Sequence, residues 1–218
     1  MKRFISEKKR KVYLTLSIAF WVLIWWAMSV IIEEKLFLPS PFSVLKALIS
    51  LFPEKEFWAS IAFSTSRVVL SYLVSFIVAA LLGVFGGLSE RIEILLSPLV
   101  KAMRSIPVAS IVILVLLWVK SRNLSTVVSF LVVFPILYES VLSGVKNTDP
   151  LLLEAADNYR IRGYRRLRYI YLPSISPYIE SGIKSSLGLC WKSAVAAEVI
   201  GLPLHSMGSK LYEAKVYL

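Results

Sequence analysis

Residues 12–32 and residues 68–88 each run for 21 positions without a charged side chain. At 1.5 Å per residue, a helix of that length covers roughly the 30 Å hydrocarbon core of a bilayer. Lipid offers no hydrogen bonds, so the backbone must satisfy its own N–H and C=O groups, and a helix does this within one segment. The chain is therefore expected to be all-α, a polytopic membrane helical bundle in which residues 1–218 form a single transmembrane domain. Composition agrees, since 57% of residues are apolar and 18% charged, more apolar surface than a water-soluble fold can hide.

Three more spans are expected at about 106–119, 124–145 and 176–200, making five. The third starts late, behind Pro98, Lys101, Arg104 and Pro107. Backbone groups freed by Pro107 at membrane depth need protein or water as partners, so this stretch should face the bundle interior. Pro135 breaks the fourth, which also carries Glu139, and the fifth holds Glu180, Lys184, Lys192 and Glu198. Residues 33–66 mix Glu33, Glu34, Glu54 and Glu56 with Pro39, Pro41 and Pro53, which suits an external loop with a short interfacial helix. Residues 201–218 hold no further hydrophobic run and are expected outside.

The formal charge is +11, and 12 of the 25 Lys and Arg lie in residues 1–11 and 146–168, flanking apolar runs. Positive charge beside a span resists translocation, so both segments are expected in the cytoplasm, and the N-terminus with them. The same placement argues for membrane lipid and against nucleic acid as the partner of this charge. The 12–32 run is too long for a signal peptide and no small-residue cleavage site follows it, so it reads as a first span.

Along the second span Ser71, Ser75, Ala79, Gly83 and Gly87 recur every fourth residue and draw one small-residue stripe. Another helix can approach closely there, so Ser75, Ala79, Gly83 and Gly87 are expected to be packing positions. Cys190 and His205 are the only residues of their kinds. Neither is expected to bind metal, and no catalytic set can be assembled around them. No phosphate-binding loop is visible, because Trp191-Lys192-Ser193 lacks the required glycines. No enzyme activity and no cofactor are expected of the chain, and any energy must come from a partner.

Residues 146–175 are strongly polar for this chain. A helix opened by Thr148 or Asp149, with Pro150 in its first turn, puts Leu151, Leu152, Ala155 and Ala156 on one side. A second short helix around residues 164–170 is expected to end before Pro173, with the turn near Gly163. Such a cytoplasmic hairpin offers apolar knobs and charge to a soluble partner.

These residues resemble the inner-membrane permeases of ABC importers, whose cytoplasmic signature is Glu-Ala-Ala, three residues, Gly, nine residues, Ile-x-Leu-Pro. The match runs Glu154-Ala155-Ala156, residues 157–159, Arg160, nine residues, then Ile170-Tyr171-Leu172-Pro173. Arg160 stands in the glycine slot, and Gly163 follows three residues later. Flanking stretches, Pro98 through Arg104-Ser105-Ile106-Pro107 and Cys190-Trp191-Lys192 through Glu198-Val199-Ile200-Gly201, are similar to the nitrate, sulfonate and taurine branch.

The resemblance implies a permease subunit, in the cell's plasma or inner membrane, that forms the pathway for a small, anionic solute. It further implies an ATP-binding cassette ATPase docked on the 146–175 loop, an extracytoplasmic solute-binding protein, and a permease homodimer. Glu154, Ala155, Ala156, Arg160, Gly163, Leu172 and Pro173 would be the ATPase-coupling residues. Relatives of this kind carry a sixth span that is not visible here. Lys192, Lys184 and Glu198 are pathway candidates, because ionisable groups in a span face a cavity or each other. The alternative to this reading is a secondary transporter driven by an ion gradient, with Glu139 and Glu198 as carriers.

Overall fold

The computed structural model of the chain describes residues 7–32 and 37–217. Lys2 and Arg3 of the basic N-terminus, and Glu33 and Glu34 of the expected external loop, lie outside the described residues. Every regular element among the described residues is helical. They group into two compact units, one within the first 58 residues and the other from Ala59 to Tyr217.

In the first unit, α1 (Glu7–Ile32) has an apolar surface that is almost wholly exposed, from Val12 to Ile32. A helix that is apolar all round and buried in nothing is one whose solvent is lipid. After it, Trp25 Nε1 donates to Pro39 O at 3.1 Å and Ser29 Oγ to Leu38 O at 2.9 Å. Then comes α2 (Pro41–Leu51), with Ser40 as N-cap accepting from Ser43 N and proline in the first turn. This short apolar helix lies in the segment expected to hold one.

The helix α3 (Lys55–Leu88) begins 13 residues before the expected start of the second span. Arg67, just before the uncharged run, lies inside the helix with its guanidinium over the Phe63 ring at 3.9 Å, on the helix's own surface. At about 51 Å this 34-residue helix is longer than a bilayer core is thick. The small-residue stripe extends upward through Ser60 and Ser64, and Ser60, Ser64, Ser71, Ser75, Ala79, Gly83 and Gly86 are all buried.

Two helices, α4 (Glu90–Ser105) and α5 (Val108–Leu116), are bent by 103° at Ile106 and Pro107. The late-starting third span is thus a broken pair. α4 is clipped to the helix that follows α5, Ser121–Lys146, by Lys146 Nζ, which reaches both Glu93 carboxylate oxygens at 2.9 Å, and by an Arg104–Glu139 ion pair.

The core is α6 (Ser121–Lys146) against α9 (Leu172–Gly201). A Cβ on Gly201 would lie 2.4 Å from Leu124, one on Gly182 2.5 Å from Ser140, and one on Gly144 2.9 Å from Ile175. Contacts in that order make the pair antiparallel. Pro135 does not break α6 as expected. It is buried inside a continuous helix whose neighbours hold it, so the loss of one internal hydrogen bond is tolerated. Val68, Ala79, Val133, Phe134, Leu137, Cys190 and Ala194 fill the centre, and Ile111, Val112, Leu124, Val128 and Ala197 the end toward α5.

By length and composition three helices can cross a membrane, or four with the bent pair counted as one. The segment expected as the fifth span is one continuous helix, α9, but with four charged residues it is not among these. A last helix, α10 (Met207–Tyr217), occupies the segment read as holding no further hydrophobic run.

Candidate functional site

At the end of the α6–α9 pair where α6 finishes, the chain forms α7 (Pro150–Asn158) and α8 (Gly163–Arg166), followed by a wide turn, Leu167–Tyr171. Asp149 is the N-cap of α7, its Oδ1 accepting from Leu151 N at 2.9 Å, and Pro150 needs no partner in the first turn. Ala156 is buried and Ala155 half-buried, whereas Leu151, Leu152 and Glu154 are exposed.

Ile161 N donates to Ala156 O at 2.7 Å and Arg160 N to Asp157 O at 3.1 Å, the two bonds of a Schellman cap. That cap requires a left-handed residue between them, and Arg160 takes φ 56°. The glycine slot of the motif therefore keeps glycine's backbone shape while holding an arginine. Gly163 is left-handed too, at φ 57°, with open space where a side chain would be. The reversal uses both positions. Asp157 and Arg166 bridge its arms at 2.5 Å.

The second arm does not end before Pro173. Leu172 N donates to Leu167 O, a reach of five residues, and this wide turn leads into α9 with Pro173 in its first turn. A wide turn loosens the backbone where a proline ring would press on the preceding turn, so the helix carries on. Leu172 is exposed and Ile170 buried. The outer surface carries Glu154, Tyr159, Arg160, Arg162, Tyr164, Arg165 and Arg168, all exposed.

α9 has two contrasting faces. Gly182, Ser186, Cys190, Ser193, Ala194 and Ala197 are buried. Ser181, Lys184, Ser185, Gly188, Lys192 and Ala196 are exposed and recur every three or four residues, which makes them one polar, small-residue stripe. Lys184 pairs with Glu180 at 2.5 Å, one helical turn back and also exposed. Lys192 stands in the stripe with no ion pair to another described residue.

Glu198 is elsewhere. Its side chain is fully buried, accepting from Ser64 Oγ at 2.7 Å and from Gly208 N at 3.2 Å, while Ser64 Oγ also accepts from Met207 N at 2.9 Å. This carboxylate ties α3, α9 and α10 together and does not belong to the exposed stripe. Ser206 and Ser209 cap α10 reciprocally, Ser206 N to Ser209 Oγ at 3.2 Å and Ser209 N to Ser206 Oγ at 3.0 Å. Sequence reasoning missed Ser64, Gly208 and this cap. The four-residue recurrence of Ser60 and Ser64 above the stripe, and the Ser206-x-x-Ser209 spacing, were the available signals. Gly83 and Gly87 lie where a Cβ would come within 2.8 Å and 2.5 Å of Val141 and Val145, and Ser75 and Ala79 are buried on the same line.

Among the described residues no group of three His, Cys, Asp or Glu side chains could hold a metal ion. Glu139, one carrier in the ion-coupled alternative, is paired with Arg104, and Glu198, the other, is enclosed.

The chain is 27% identical to the taurine transport system permease protein TauC of Escherichia coli over 184 residues, covering 81% of this chain and 67% of that one. It is 28% identical over 160 residues to the bicarbonate transport system permease protein CmpB of Synechococcus elongatus, with 72% and 57% covered. With the nitrate import permease protein NrtB of Leptolyngbya laminosa it shares 32% over 149 residues, with 66% and 52% covered. The chain thus spans between about half and two thirds of the length of these relatives. Residues 76–215, which hold the hairpin, both faces of α9, and Glu198 with Gly208, match the family described as binding-protein-dependent transport system inner membrane component. The chain belongs to that family of ABC transporter permeases, and within it resembles the nitrate, sulfonate and taurine branch.

Proposed function

We propose that the chain forms the membrane pathway of an ATP-driven importer for a small anionic solute handed over by an extracytoplasmic binding protein. A separate ATPase docks on residues 146–175, and two copies of the chain enclose the pathway. The observation that carries this reading is the hairpin, a fully capped reversal with an exposed arginine and tyrosine surface. Its arms run directly into α6 and α9, so a push on it has a mechanical route into the bundle. A role limited to holding the loop in the cytoplasm would need the arginines but not the Glu154-Ala155-Ala156 spacing or the cap.

The exposed stripe on α9 supports the pathway half of the reading. Polar and small side chains facing outward from a membrane helix need water or another protein subunit, since lipid satisfies neither. Across a homodimer the stripe would meet its own copy, with Lys192 and Lys184 lending positive charge to the passage. The solutes named for the relatives, taurine, bicarbonate and nitrate, are small and each carries an anionic group, which suits such a lining.

The test is Ala155→Trp, which adds bulk to the half-buried side of α7 without altering charge. The variant is expected to insert normally, lose the ATPase on co-purification and abolish ATP-dependent uptake. Retention of both would remove the hairpin from the coupling role.

A further inference from the structure

The end of the α6–α9 pair away from the hairpin holds a cavity of about 530 Å³, lined by Phe63, Lys120, Ser121, Arg122 and the loop Leu202–His205. Its lining contains two permanent cations and an imidazole but no carboxylate. Neither Lys120 nor Arg122 makes an ion pair with another described residue.

Three further features point the same way. The cavity includes the start of α6, where no side chain caps the helix, so the positive end of its dipole is left uncompensated. Phe63 carries the Arg67 guanidinium against its ring, and Arg67 Nη1 is buried without a hydrogen-bond partner among the described residues. Arg67 also lies within electrostatic reach of Arg122 and of the Glu198 carboxylate. Finally, the loop is held in an uncommon shape, with Leu202 at φ 45° and His205 at φ 58°. Left-handed backbone at side-chain-bearing residues persists only where the surroundings impose it. Here Ser209 Oγ donates to Pro203 O at 2.9 Å, and the Ser206–Ser209 cap and the Gly208–Glu198 bond fix the loop's far side.

A cavity of this size, whose lining carries two basic side chains at one helix start and no carboxylate, favours one class of occupant. We propose that it is a binding site for a small soluble oxyanion, of sulfonate, sulfate, nitrate or bicarbonate type. Arg122 presents a planar fork suited to two oxygens of such a group, Lys120 a mobile point charge, and Ser121 and His205 further hydrogen-bond donors. The importer reading gives the site its role, as a station where solute arrives at the extracytoplasmic end; the binding itself rests on the cavity.

The experiment titrates ethanesulfonate into the full chain purified in an uncharged detergent, with choline as the cationic control. A second arm repeats the titration in nanodiscs of phosphatidylglycerol, since a lipid phosphate carries the same oxyanion chemistry. Saturable 1:1 binding is expected, weakened about tenfold or more by the K120Q/R122Q pair. Binding should be retained by K120R/R122K. Both cations are exposed, so neither pair should disturb folding, which the melting temperature checks. Absence of saturable binding, an unchanged affinity in K120Q/R122Q, or displacement of ethanesulfonate by phosphatidylglycerol as the sole preferred ligand would each overturn the inference. Failure here with ATPase docking intact removes the anion site alone, whereas loss of docking with anion binding intact removes the importer reading.

Discussion

The two ends of the α6–α9 pair are built on opposite principles. At the hairpin end the linking interactions are exposed: Asp157–Arg166, Lys146–Glu93 and Arg104–Glu139 bridge elements across solvent-accessible surface. At the other end a fully buried carboxylate, Glu198, accepts at Oε2 from a serine hydroxyl and a backbone N–H, while its Oε1 has no hydrogen-bond partner among the described residues. Exposed pairs contribute little and re-form readily, while a buried, hydrogen-bonded carboxylate is costly to disturb. The hairpin end is therefore the one suited to making and breaking contact with a partner. The Glu198 end is suited to staying put while its cavity receives small ligands.

The contrast is broken most severely in the helix contacts that both ends depend on. Gly83→Leu would drive a side chain into Val141 Cβ, 2.8 Å from the position of its own first carbon. Loss of folded chain after detergent extraction is the expected outcome, measured by size-exclusion profile, because the backbones cannot separate without opening the core. Glu198→Ala comes next. It strips Ser64 and Gly208 of their acceptor and should cost about 2 kcal/mol, read as a lowered thermal midpoint. Arg160→Gly should act in the opposite direction and stabilise by about 1 kcal/mol, because glycine takes the left-handed backbone without the Cβ penalty. Hydrogen exchange over residues 156–162 would register that change locally. The smallest effect is expected from Lys184→Met, since its pair with Glu180 is fully exposed on α9, and the melting profile should not move.

The apolar stretch of α3, the helices α6 and α9 taken singly, and the start of the hairpin were legible in the sequence because each rests on a local rule. Uncharged length marks a span, a four-residue recurrence marks a packing stripe, and Asp149-Pro150 marks a helix start. Misreadings came where tertiary contact overrode a local signal. Pro135 looked like a break but is enclosed by neighbours, and Pro173 looked like a stop but follows a wide turn. The Glu198 junction was hidden for a different reason. Its partners lie 134 and 10 residues away in sequence, on helices whose approach no single-segment pattern announces.

The central claim is that these two ends face opposite sides of the membrane, the hairpin inward and the Leu202–His205 loop outward. Single cysteines introduced by Tyr159→Cys and Leu204→Cys, at positions 80% and 81% exposed, can be probed in a Cys190→Ser background with an impermeant maleimide on intact cells. The Leu204→Cys chain should label from outside and the Tyr159→Cys chain only after the membrane is permeabilised. Labelling of Tyr159→Cys in intact cells would contradict the account.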